Sequence, residues 1–237
     1  MNTKNETSSR APANLQIGAF IFPKLDQMDF TGPFAVFARV PGATVHILAQ
    51  SLEPLRDAAG LVLTPTKLLT EAPSLDLFYI PGGGGVNEVL KNPRLLKELR
   101  DLVERTPWVM SVCTGALILG ATGLLKNRRA TTHWASHHLL QSYGAIPVHD
   151  RVVVDDHLIT TAGVTAGLKG ALKAVDLVVG RGAAQSAQVA LEYAPEPLPW
   201  MDSSKIVSDE VLAQVRQQMR PVIAEREALA RDYARCQ

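Results

Sequence analysis

Short apolar runs alternate along the chain with stretches whose apolar residues recur every three or four positions. Leu15-Gln-Ile-Gly-Ala-Phe-Ile-Phe22 is nearly continuous and is closed by Pro23, as a strand buried on both faces requires. Thr31-Gly-Pro33 then predicts a helix start, with Thr31 as cap, Pro33 in the first turn, and Phe34, Phe37 and Val40 as the apolar stripe. Ala43–Ala49 reads as a second strand. Gly60–Pro65 reads as a short edge hairpin, since Pro65 cannot donate to a ladder. Leu75-Asp-Leu-Phe-Tyr-Ile80 is another buried strand and runs straight into Pro81-Gly-Gly-Gly-Gly85. A helix from Pro93 to Glu104 follows, with Leu95, Leu96, Leu99 and Val103 on one face.

The second half continues the pattern. Trp108-Val-Met-Ser-Val112 predicts a strand that turns sharply at Cys113 into a helix ending near Gly123. Thr131–Trp134 opens a helix through Leu140, Val152–Val154 and Leu158–Thr161 pair around Asp155–His157, and Thr165–Val179 is a long apolar helix. Alternating strands and helices predict an α/β fold. The expected form is a doubly wound, mostly parallel sheet sandwiched by helices, flavodoxin-like or class I glutamine amidotransferase-like. Residues 1–14 are polar and mixed and are expected to form a disordered tail, leaving 15–237 as a single domain. A proline-rich connector from Leu191 to Trp200 leads to C-terminal helices. There Ile206, Val211, Val215, Met219, Val222 and Ile223 form the expected apolar stripe, and Pro221 is expected to break or kink it.

Composition narrows the functional classes. Apolar content of 46% with 20% charged residues is that of an ordinary globular protein. A net charge of +1 removes the electrostatic case for nucleic acid or an anionic membrane as partner. No run has the length of a membrane span. No apolar signal core opens the chain, so a cytoplasmic location and reduced cysteines are expected.

Of the two cysteines, Cys236 lies at the chain end and reads as a bystander. Cys113 is bracketed by Ser111 and Gly115, the small residues that a nucleophile elbow demands. At the start of a helix, orphan amides and the dipole favour a thiolate. Gly82–Gly85 at a strand end lets backbone amides approach a ligand, and without a lysine–hydroxyl pair it is no phosphate loop. Asp29 sits between the first strand and its helix, either as a helix cap or as a general acid and base beside Cys113. His133 could pair with Cys113. His133 and His137 are i and i+4, but no glutamate lies between them and no third ligand is evident, so no metal is expected.

These marks together resemble the DJ-1/PfpI superfamily from about Leu15 to about Trp200. They are Ile80-Pro-Gly-Gly-Gly84, Val112-Cys-Thr-Gly-Ala116 and Thr131-Thr-His-Trp134. Within it, Asp29-Phe-Thr-Gly-Pro33, Gly123-Leu-Leu125, Arg129-Ala-Thr-Thr-His-Trp134, Gly144-Ala-Ile-Pro-Val148 and Leu191-Glu-Tyr-Ala-Pro195 are similar to isonitrile hydratases. The resemblance implies Cys113 as nucleophile, Asp29 as the acid beside it, amides around Gly83 and Thr114 for anion stabilisation, and His133 one shell out. It implies cysteine-dependent hydration of isonitriles to N-substituted formamides through a thioimidate, with a small-molecule substrate, no cofactor and a homodimer. A thiol hydrolase or glyoxalase of the same superfamily is an alternative. A stand-alone thiol sensor is another, since regulators with AraC-type DNA-binding regions share the elbow. The stretch after Trp200 is too short and too weakly basic for two helix-turn-helix units, so DNA binding is not expected.

Overall fold

The computed structural model describes residues 14–195 and 209–236. Residues 1–13 of the expected tail, residues 196–200 of the proline-rich connector, residues 201–208 with Ile206, the Val211 side chain and Gln237 lie outside the described residues. The strands are β1 Leu15–Phe20, β2 Ala43–Ala49, β3 Leu55–Arg56, β4 Val62–Leu63, β5 Lys67–Leu68, β6 Leu77–Ile80, β7 Trp108–Ser111, β8 Arg129–Ala130, β9 Ile146–Pro147, β10 Val152–Asp155 and β11 Leu158–Thr161. The helices are α1 Gln27–Phe37, α2 Val86–Leu90, α3 Pro93–Arg105, α4 Gly115–Ala121, α5 Ala166–Val178, α6 Arg181–Ala190 and α7 Asp209–Arg235.

Seven strands form one sheet in the order β10-β11-β7-β6-β1-β2-β5. Every neighbouring pair is parallel except the β10–β11 hairpin at one edge. The apolar runs are explained by burial from both sides. α1, α5 and α6 pack on one another as one group and α2, α3 and α4 as another, and together they flank the sheet. Ile17, Phe20, Phe78, Ile80 and Val109 are each fully buried. A side chain of that size contributes roughly 1.5–3 kcal/mol when taken out of water. β3 and β4 form the small separate hairpin expected near Pro65.

Three local expectations are corrected. α1 begins at Gln27, because Asp26 accepts the Met28 amide at 3.0 Å as N-cap. Thr31 therefore lies inside the helix and donates to the Gln27 carbonyl, while Pro33 sits mid-helix. An aspartate cap closer to the strand has displaced a threonine that matched the same signal. The segment opened by Thr131–Trp134 is a 3-10 helix, Trp134–Tyr143, rather than an α-helix. α7 runs through Pro221 without a break. Its buried face also differs from the expected stripe. Val215 and Val222 are exposed, whereas Arg226 and Ala230 are buried. α7 packs on the 3-10 segment and α2, and the Tyr143 and Tyr233 rings meet at 4.8 Å.

Candidate active site

β7 is flanked by β6 and β11, and β1 lies between β6 and β2, so the ends of β1, β6 and β7 come together inside the sheet. Open α/β sheets place their sites at such carboxyl ends. Cys113 follows β7 with a backbone φ of 54°, the left-handed region that a non-glycine residue occupies only under constraint. Its N–H donates to the Ala162 carbonyl at 2.9 Å, and its carbonyl accepts the Thr132 hydroxyl at 2.7 Å. Gly115 makes the elbow possible, since a Cβ there would collide with the Ile80 and Pro81 carbonyls. The turn that closes β6 needs Gly83 in the same way: its φ is 123°, and a Cβ would strike the backbone of Leu25 and Asp26.

The carboxyl of Asp29, in the first turn of α1, lies between these two turns. It is wholly buried, and its Oδ2 accepts the Gly82 amide at 3.0 Å. Its Oδ1 has no hydrogen-bond partner among the described residues. Burial first, and then the charge of Asp26, push its pKa up to about 7, while the Gly82 amide and the Cys113 thiol pull it down. Asp29 is thus a buried carboxyl that exchanges its proton near neutral pH, with one oxygen free to carry that proton.

Cys113 is 7% exposed. Burial pushes its thiol well up, and the adjacent Asp29 charge adds to this, against the Thr114 amide, which draws it down. The sequence predicts a thiolate favoured at a helix start. In the folded chain, burial and the neighbouring carboxylate outweigh that one amide. The two groups share a site in which a negative charge on either disfavours charge on the other, so they titrate as a pair. The Gly83 amide, expected to help hold an anion, donates to Thr114 Oγ1 at 3.1 Å. The Gly82 amide is the one that faces the carboxyl.

His133 caps the 3-10 segment, its Nδ1 accepting the Ala135 amide at 3.4 Å, and makes no hydrogen bond to Cys113 among the described residues. Burial, then the Arg226 charge, hold its pKa down, so the ring is neutral at pH 7. His137 is buried, bonds the Val148 carbonyl at 3.0 Å and stacks on His149. The i, i+4 histidines therefore have separate structural partners. A cleft of about 1160 Å³ opens nearby, walled by Phe20, Phe22, Leu55, Gly84 and Leu95, and neither Cys113 nor Asp29 lines it.

Sequence reasoning missed Arg226. It is 3% exposed on α7 and donates from Nη2 to the Gly83 carbonyl at 2.7 Å. A charged residue on a polar-looking helix gives no patterning signal of burial, and no motif marks it.

A parallel α/β sheet with a cysteine elbow at its carboxyl end, faced by a buried acid and a glycine turn, defines a cysteine-elbow α/β protein. Comparison with known proteins narrows the class. The chain belongs to the DJ-1/PfpI family, whose model matches residues 16–177. It is 43% identical over 207 residues to an isonitrile hydratase of Pseudomonas putida, covering 87% of this chain and 91% of that one. A glutathione-independent glyoxalase, DJR-1.2 of Caenorhabditis elegans, is 28% identical over 59% of this chain and 75% of its own. Among solved structures, a ThiJ/PfpI family protein from Pseudomonas syringae superposes with a TM-score of 0.84 at 35% identity, covering 99% of this chain and 97% of that one.

Proposed function

We propose that the protein hydrates isonitriles to N-substituted formamides, with Cys113 as nucleophile and Asp29 as the proton carrier. The observation that carries this reading is the Asp29 carboxyl, held near pKa 7 beside the elbow cysteine with Oδ1 unpartnered. An isonitrile carbon takes a nucleophile and then needs a proton on that same carbon. An acid of this strength at this place supplies it at neutral pH.

In the proposed sequence the Asp29 carboxylate first takes the proton of the Cys113 thiol, which forms the reactive pair with the proton on Asp29 and the charge on sulfur. The thiolate forms a C–S bond to the terminal carbon of R–N≡C, and the Asp29 proton goes to that carbon. The product is the thioimidate Cys–S–CH=N–R with an Asp29 carboxylate. The Thr114 amide, which favours negative charge on sulfur, holds the thiolate before attack. Water then adds its oxygen to the carbon. One of its protons passes by way of Asp29 to nitrogen, the other ends on Asp29 as the carbonyl forms, and the C–S bond breaks to return the thiolate. The product is R–NH–CHO. Its C–H proton came from Asp29 and its N–H proton from water, and the reactive pair is restored. The 43% identity to the Pseudomonas putida isonitrile hydratase supports this substrate class.

The test is formamide production from cyclohexyl isonitrile. Wild type is expected to turn it over, and Cys113→Ala to fall to the uncatalysed rate. Turnover retained by Cys113→Ala would remove the covalent route. Consumption of methylglyoxal with no formamide would replace the reaction by a glyoxalase one.

A further inference from the structure

α7 delivers one side chain that the proposed chemistry leaves unused. The Arg226 guanidinium is buried, and each arm has a partner. Nε donates to Asn87 Oδ1 at 2.9 Å, Nη1 to Ser136 Oγ at 3.2 Å and Nη2 to the Gly83 carbonyl at 2.7 Å. All three acceptors are neutral. Among the described residues no carboxylate forms an ion pair with it. Its helical neighbour Glu225 is taken by Lys91 and by Asn87 Nδ2. Burial pulls the Arg226 pKa down, but a guanidinium does not release its proton in a protein. A buried cation without a counterion is unfavourable unless an anion forms close by.

The bonds lead to such an anion. The Gly83 carbonyl held by Arg226 is also within 3.4 Å of the Thr114 hydroxyl, and the Gly83 amide donates to that hydroxyl at 3.1 Å. The amide of Thr114 in turn bonds the Cys113 sulfur. Hydrogen bonds therefore run from α7 through the glycine turn to the Thr114 side chain, and the Thr114 backbone carries the link on to the thiol. Other charged or titratable groups face this place: Asp29 and Asp26 from α1, His133 from the cap of the 3-10 segment, and Tyr143 from its end. The two aspartates oppose a thiolate and His133 is neutral. The negative charge of an ionised Cys113 favours the charged form of Arg226, and by reciprocity this guanidinium, a full positive charge, favours the thiolate.

We propose that Arg226 is a positioning residue for the Cys113 thiolate. It fixes the Gly83–Thr114 contact behind the sulfur, and its buried charge offsets the negative charge that appears when Cys113 ionises. The inference rests on Cys113 being the reactive thiol and is independent of which substrate it attacks.

The experiment is the pH profile of Cys113 alkylation by iodoacetamide in a Cys236→Ser background, which silences the exposed thiol. No isonitrile is present, so absence of hydratase activity leaves this test intact. Arg226→Met is expected to raise the midpoint by about one pH unit or more and to slow alkylation roughly tenfold at pH 7.5. Arg226→Lys, which keeps charge but loses the fork, is expected to recover most of that shift. A merely structural role would raise thiol exposure and pull both variants toward an ordinary free thiol. If Arg226→Met fails to fold, Ser136→Asp decides, because it gives the guanidinium its own carboxylate and is expected to raise the midpoint likewise. Profiles that superimpose on the parent, or move down, would overturn the proposal.

Discussion

Burial favours the neutral form of both Asp29 and Cys113, yet the proposed reaction needs a proton on one and a charge on the other. Adjacency answers this in part: Asp29 takes the proton as Cys113 ionises, so the pair carries a single negative charge throughout, and the raised thiol makes that transfer uphill. The wild-type carboxyl also leaves a signature in stability. In the unfolded chain Asp29 ionises near pH 4, and in the folded one near 7. Between these values the folded state holds a proton that the unfolded state has lost. The stability from the protonated carboxyl is thus fully present below about pH 4 and is lost as pH rises through about 7. An asparagine side chain at this position cannot ionise. Asp29→Asn is therefore expected to gain on the parent by a few kcal/mol between pH 4 and pH 8 while losing most of its turnover. Urea midpoints across that range measure it, and a pH-independent difference would contradict the assigned titration.

The element that places Asp29 is α1, and its start is the least legible local feature of the sequence. Both Asp26 and Thr31 satisfy the capping signal, and Asp29 itself fits a cap. The structure gives the role to Asp26, which puts Asp29 in the first turn, aimed at the sheet end. Asp26→Ala removes the cap and is expected to cost about 1 kcal/mol, a fall of roughly 2–4 °C in melting temperature. Asp26→Asn keeps the cap geometry and is expected to melt near wild type. Equal melting of both variants with the parent would show that the cap is not holding α1. The elbow, by contrast, is legible because small residues at fixed offsets from Cys113 mark it, although the contact that demands Gly115 comes from the Ile80 and Pro81 carbonyls at the end of the neighbouring strand.

At the scale of the whole molecule, α7 closes over the 3-10 segment and α2, and through Arg226 reaches the glycine turn 143 positions away in sequence. Among the described residues no helix is long and apolar enough to cross a membrane. We carry over one further expectation from the family resemblance, a homodimer. Light scattering is expected to give twice the 25.6 kDa of one chain, and a monomer mass at micromolar concentration would contradict it.

The sequence by itself determined the parallel α/β sheet, the position of the elbow, the glycine turn and the family. These rest on short-range signals: runs of apolar residues, small residues at fixed offsets, and breakers at element ends. Only the tertiary structure decided the charge balance of the site. Whether Cys113 is a thiol or thiolate depends on desolvation, on a carboxylate brought from α1 and on a guanidinium brought from α7. Of the stripe that pattern reading placed on α7, Met219 and Ile223 are half-buried and Val215 and Val222 are exposed, while Arg226 and Ala230 are the fully buried positions. A buried arginine breaks the rule that polar residues face water, and it does so because the acceptors that hold it come from two distant parts of the chain, the glycine turn with α2 and the 3-10 segment.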